Sequence, residues 1–192
     1  VGFGNRLILS HESLQKNFET IQKRNQIADE PQDIIYISDG EHTFPNFSIE
    51  METGTGKTYA YLRTIFELHS KYGFSKFIIV VPSVAIREGV MTNISLTHSH
   101  FEELYDKIPY NAWIYNRKEL HRLRHFASSD KLQILIMNLD AFNKKENNVV
   151  HKIDDDMMGK RPIEFIQSTN PIVIMDEPQN MESDKARSAI AS

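Results

Sequence analysis

Phe47-Ser48-Ile49-Glu50-Met51-Glu52-Thr53-Gly54-Thr55-Gly56-Lys57-Thr58 is the stretch on which the fold turns. Phe47 to Met51 reads as a strand, the glycines as a tight turn, and the text from about Gly56 to Lys71 as a helix. A glycine loop between a strand and a helix N-terminus aims several backbone N–H groups and the positive helix end at one anion. Thr53, Gly54, Thr55, Gly56, Lys57, Thr58 and Tyr59 are therefore the candidate nucleotide contacts. Lys57 supplies a point charge for the β- and γ-phosphates, and the Thr58 hydroxyl is a hard oxygen ligand for Mg2+. Met51 stands where the plain G-x-x-x-x-G-K-[ST] pattern has its first glycine.

Working outward, helices and strands alternate, which predicts an α/β class with a mainly parallel sheet flanked by helices. Phe77 to Val81 is apolar at every position, as a strand covered on both faces must be. Pro82 ends it and Ser83 can cap the following helix. Ala112 to Tyr115 and Leu132 to Met137 predict further strands, with a basic helix over Arg117 to Phe126 between them. Upstream, Ser10 can cap a helix carrying Leu14, Phe18 and Ile21, and Ile34 to Ile37 predicts a strand ending in an Asp39-Gly40 turn. Asn143 to Lys160 is the most polar stretch and reads as a solvated excursion. A short helix over Pro162–Gln167 leads to the apolar strand Ile172 to Met175.

That last strand ends in Asp176-Glu177-Pro178-Gln179. A parallel α/β sheet places its ligands at the carboxyl ends of its strands, so these carboxylates can face the glycine loop despite their distance in sequence. Asp176 would hold Mg2+ through its hydration shell, and Glu177 could orient and deprotonate an attacking water.

Composition narrows the function classes. The chain has 192 residues, 40% hydrophobic and 25% charged, the balance of an ordinary globular domain. It has no cysteine, which excludes disulfides, thiolate metal centres and thiol catalysis and favours an intracellular compartment. The apolar runs fall far short of the roughly 20 residues that span a bilayer, so no membrane association is expected. A formal net charge of −4 gives no bulk signature of a nucleic-acid binder, leaving any such contact to a local patch. Lys118, Arg122 and Arg124 with Arg117, His121 and His125 form the one local basic cluster, which could meet nucleic acid, although a charge run is usually a solvated face. The eight histidines show no metal-ligand spacing.

Met51 to Thr58 resembles motif I of superfamily 2 helicases and translocases, and Asp176-Glu177-Pro178-Gln179 resembles their motif II. Ser48 to Glu52, Val80 to Val90 and Asp176 to Met181 together are similar to the Res subunit of type III restriction enzymes. The resemblance implies that residues 1–192 are the first RecA-like motor domain, with residues 1–45 a helix and strand extension packed on it. It implies ATP and Mg2+ as cofactors and Lys57, Asp176, Glu177 and Gln179 as the catalytic set, Gln179 linking the γ-phosphate to DNA contacts. By motif position Pro82, Ser83, Arg87 and Asn138, with Asp140 nearby, touch the backbone of the tracked strand, although Ser83 serves equally as a helix cap and Asn138 as a turn residue. Gln22 and Gln26 either read adenine or face solvent. The implied partners are double-stranded DNA, a methyltransferase (Mod) subunit, and a second RecA-like domain and a nuclease domain of the same protein, all in the cytoplasm. On this reading the 192 residues alone cut no DNA and hydrolyse ATP close to background.

Other readings of the same residues are a type I restriction motor or repair translocase, a P-loop kinase, and a nucleotide-gated module that never hydrolyses ATP. A kinase does not need Glu177 as a water-activating base, and it normally carries an arginine-rich lid that is not evident here.

Overall fold

The computed structural model describes residues 3–27, 32–38, 43–116, 118–141 and 161–180. The Asp39-Gly40 turn, Arg117 and the polar stretch Asn143 to Lys160 lie outside them. The chain divides into two compact units, one holding Val1–Arg6 with Glu52–Ile190 and the other Leu7–Met51.

The larger unit is built on four parallel strands. They are β3 (Lys76–Val81), β4 (Tyr110–Ile114), β5 (Leu132–Asn138) and β6 (Ile172–Met175), in the order β4-β5-β3-β6. β3 lies between β5 and β6, with Val81 opposite Asn138 and Val80 opposite Met175. It is buried along its whole length, which explains the unbroken apolar run.

Strand periodicity divides the core between the two faces of the sheet. Phe77, Ile79 and Val81 join Leu132, Ile134 and Ile136 against α2 (Lys57–Tyr72), α3 (Val84–Leu96) and α4 (His98–Leu104), through Leu62, Ile65, Phe66, Val90, Ile94 and Phe101. Ile78 and Val80 join Leu135 and Met137 against α5 (His121–Ser128) and α6 (Pro162–Gln167). Burying one such aliphatic or aromatic side chain stabilises the fold by ~1.5–3 kcal/mol, so the two faces together hold the sheet between its helices.

A short N-terminal segment fastens the amino end of this sheet. Asn5 is buried, accepts from the backbone N–H groups of Ser75 (2.8 Å) and Lys76 (3.1 Å), and donates to the Lys76 carbonyl (2.7 Å). Its own N–H reaches the Thr169 carbonyl at 2.7 Å. Gly4 lies so close to the chain that a Cβ there would stand 2.9 Å from the Thr169 carbonyl oxygen, a distance only glycine avoids.

The smaller unit carries α1 (His11–Asn25) and an antiparallel pair, β1 (Ile35–Ser38) with β2 (Thr43–Asn46). Ser10 caps α1 by accepting from the Ser13 N–H, as its sequence position predicts. Phe18 meets Phe47 edge-on at 5.5 Å, and His11 stacks on Tyr36 at 4.9 Å.

Two expectations need correction. Phe47 to Met51 forms no strand: it pairs with no other strand among the described residues, and Ile49 is 81% exposed. Alternating polarity marks a chain able to be a strand, but a strand exists only where a partner supplies the ladder. The basic helix is shorter than expected at its start: it begins at His121, and ahead of it the Glu119 N–H reaches the Asn116 carbonyl at 3.0 Å in a separate turn.

Candidate active site

Gly54 (φ 81°) and Gly56 (φ 90°) bend the loop ahead of α2 through left-handed backbone that side-chain-bearing residues rarely adopt. Thr55 closes the turn, its hydroxyl donating to the Glu52 carbonyl at 2.6 Å. Gly56 is the N-cap of α2 with no side chain to satisfy the first amides, so the helix end keeps donors for an anion. Lys57 and Thr58 occupy the first turn, as expected from sequence.

The second half of the site comes from β6. The Asp176 N–H continues the ladder, donating to the Val80 carbonyl at 3.0 Å, which fixes Asp176 at the carboxyl end of the sheet beside β3. Glu177 follows with φ 56°, a left-handed conformation uncommon for a non-glycine residue. That turn aims its carboxylate at the glycine loop: one oxygen bonds the Lys57 ammonium, 120 residues away in sequence, and the other bonds the Gln179 amide. The Lys57 bond holds the Glu177 carboxyl below the usual carboxylate range. Asp176 is pushed the other way, above its ordinary value, because burial disfavours its charge. The two neighbouring carboxylates thus differ in environment, the charged form being favoured at Glu177 and disfavoured at Asp176.

Tyr61 belongs to this site and was not among the residues read from sequence. Its hydroxyl donates to Asp176 Oδ2 at 3.3 Å, and burial pushes its pKa up. The signal was available: Thr58 and Tyr61 are three apart and share one face of α2. Tyr59, which the sequence reading chose instead, points elsewhere. Its ring stacks on Phe101 at 5.5 Å and its hydroxyl pairs with His100 at 2.9 Å, so its side chain serves the α2–α4 contact.

The candidate DNA contacts sit at the same end of the sheet. Ser83 caps α3 by accepting from the Ile86 N–H at 3.3 Å, and Pro82 beside it is half-buried. The Arg87 guanidinium is held by Glu88 at 3.0 Å. Asn138 ends β5 opposite Val81, and its buried Oδ1 has no hydrogen-bond partner among the described residues. In the smaller unit Gln22 does not face solvent: it is buried and accepts from the Gln32 N–H at 2.9 Å, while Gln26 ends α1 in the left-handed region. In the basic cluster Arg122 pairs with Glu119 at 2.9 Å and lies over the Trp113 ring.

Among the described residues no group of three or more His, Asp or Glu side chains could hold a metal ion by itself. The donor set is nonetheless of the kind Mg2+ takes, since this cation needs only one or two protein oxygens: the Thr58 hydroxyl could ligate it directly and the Asp176 carboxylate could hold it through its hydration shell. No described helix is long and apolar enough to cross a membrane.

A parallel sheet with a glycine loop and a carboxylate pair at its carboxyl end is a RecA-like domain of the helicase type, a class whose site implies nucleotide binding. Residues 9–192 match the family model for the type III restriction enzyme, res subunit, and the chain belongs to that family. It is 32% identical over 158 residues to the type III restriction-modification enzyme StyLTI Res subunit of Salmonella typhimurium, covering 72% of this chain and 16% of that protein. It is 26% identical over 199 residues to the EcoP15I Res subunit of Escherichia coli, covering 93% of this chain and 20% of that protein. The EcoPI Res subunit of Escherichia phage P1 is 25% identical over 203 residues, with 93% and 20% covered. The chain thus spans a fifth or less of the length of these curated relatives.

Proposed function

We propose that this chain binds and hydrolyses ATP as the first motor domain of a type III restriction enzyme acting on double-stranded DNA. The observation that carries the reading is the contact of Lys57 with Glu177, which joins the glycine loop to the end of β6 across 120 residues of sequence. The backbone of Thr53 to Gly56 and the N-terminus of α2 would bind the phosphates, with the Lys57 ammonium on the β- and γ-phosphates. A γ-phosphate competes with Glu177 for that ammonium, so substrate binding releases the carboxylate to take a proton from the attacking water. Gln179, bonded to the same carboxylate, would sense its release and pass it toward DNA. Thr58 and Asp176 would hold Mg2+, which neutralises developing charge on the phosphates.

Pro82, Ser83, Arg87 and Asn138 would meet the DNA backbone on the rim beside the nucleotide, as suits a motor that grips phosphates without reading bases. The partners of such a motor would be double-stranded DNA, a Mod methyltransferase subunit, and a second RecA-like domain and a nuclease domain of the same protein. A nucleotide-gated module without hydrolysis is the competing reading, and Glu177 separates the two.

The test is phosphate release by the intact enzyme with and without duplex DNA, run beside Glu177→Gln. DNA-stimulated turnover that falls by at least about 100-fold in kcat in the variant, with ATP still bound, is the expected result. Absence of turnover in the wild type, or a variant as fast as wild type, would contradict the proposal.

A further inference from the structure

The phosphate half and the carboxylate half of the site come from separate elements, α2 and the end of β6, and two links join them. One is the Lys57–Glu177 contact, which substrate must break. The other is Tyr61. This half-buried residue stands one turn into α2, on the face of the helix that also bears Thr58. Its hydroxyl donates to Asp176 Oδ2 at 3.3 Å. The phenol thus bonds one of the two side chains that the nucleotide reading assigns to the cation, from the helix face that bears the other.

We propose that Tyr61 is a positioning residue for the divalent cation, its hydroxyl setting the orientation of the Asp176 carboxylate toward the turn of α2 that bears Thr58. The proposal rests on the reading of this site as one for Mg·ATP. Its physical basis is that a cation with a strict octahedral preference binds well only where its few protein oxygens are already in place. Hydrogen-bond partners of ligating side chains supply that preorganisation, and losing one typically costs 10–100-fold in metal affinity. Tyr61 suits the task because its ring is packed against the α2 face of the core, so the hydroxyl has little freedom to follow a wandering carboxylate. A bond that only supported packing would affect the fold and all ligands alike; a bond that orients cation ligands acts on the cation alone.

The experiment is a titration of a fluorescent ATP analogue on the intact enzyme, wild type and Tyr61→Phe, at a series of Mg2+ concentrations and again in EDTA, with thermal unfolding recorded for both proteins. Phenylalanine keeps the ring and its packing and removes only the hydroxyl. The expected result is a rise of about tenfold in the Mg2+ concentration that half-saturates Mg2+-dependent binding, with affinity in EDTA and melting temperature unchanged. Coincident Mg2+ curves for the two proteins would overturn the assignment of Tyr61 while leaving the nucleotide site standing. An equal loss in EDTA and in Mg2+, or a lowered melting temperature accompanying it, would make Tyr61 a packing residue and also overturn it. A wild type that binds no nucleotide under any condition would overturn the nucleotide reading itself, and this proposal with it.

Discussion

At the carboxyl end of the sheet the Lys57 side chain is 28% exposed and its ammonium meets Glu177, whereas at the amino end Lys76 is fully buried and its ammonium donates to the Ser129 carbonyl. The difference lies in the partners. Lys57, Glu177 and Gln179 are side chains bonded to one another on a half-open rim, where a ligand could take a partner's place. Asn5 and Lys76 bond to backbone groups, which belong to the fold and cannot leave. Polar residues of the same types thus make a site at one end of a sheet and a fastening at the other.

Asn5→Ala removes three buried side-chain-to-backbone hydrogen bonds and leaves the amides of Ser75 and Lys76 and the Lys76 carbonyl short of partners. Unsatisfied buried groups of this kind cost ~1–3 kcal/mol each, and the expected net loss is about 3 kcal/mol. Hydrogen exchange of the β3 amides measures it, and ATP affinity should stay within about twofold of wild type. A variant that loses nucleotide affinity while β3 stays protected would erase the distinction between the two ends.

Burial pushes the Lys76 pKa down from the usual 10.5 to about 8, with Asp130 opposing the shift. The unfolded chain therefore holds a proton that the folded chain has released between those values, so wild-type stability rises as pH climbs from about 8 to 10.5. Lys76→Met keeps the stem and removes the buried charge, and the Ser129 carbonyl it frees belongs to a half-exposed residue that water can reach. The expected gain is about 1 kcal/mol at pH 7, shrinking toward pH 10, read by calorimetric melting at the two pH values. A destabilised variant would mean that the ammonium contributes more through the Ser129 bond and the Phe126 ring, 5.5 Å away, than burial costs it.

Local pattern made one end of the sheet legible and left the other hidden. The glycine loop, the Ser10 and Ser83 caps, the apolar runs of β3, β5 and β6 and the acidic end of β6 are each encoded in consecutive residues. Asn5 looked like an unremarked terminal residue because its partners, Ser75 and Lys76, are about seventy positions away. Phe47 to Met51 failed for the converse reason, having a strand's local pattern and no partner among the described residues. Tyr61 falls between: helical spacing places it beside Thr58, but only the approach of β6 gives its hydroxyl an acceptor.

The claim that matters most is that Lys57 is a ligand-binding group and not a structural one. Calorimetric titration of Mg·ATP into the intact enzyme, wild type against Lys57→Ala, with melting of both proteins recorded beside it, tests that claim directly. Affinity should fall at least about 100-fold, as expected when a charge-assisted phosphate contact is lost, while the melting temperature stays within about 2 °C because surface groups of this kind contribute little to stability. Wild-type affinity in the variant, or a collapse of the fold without it, would contradict the account.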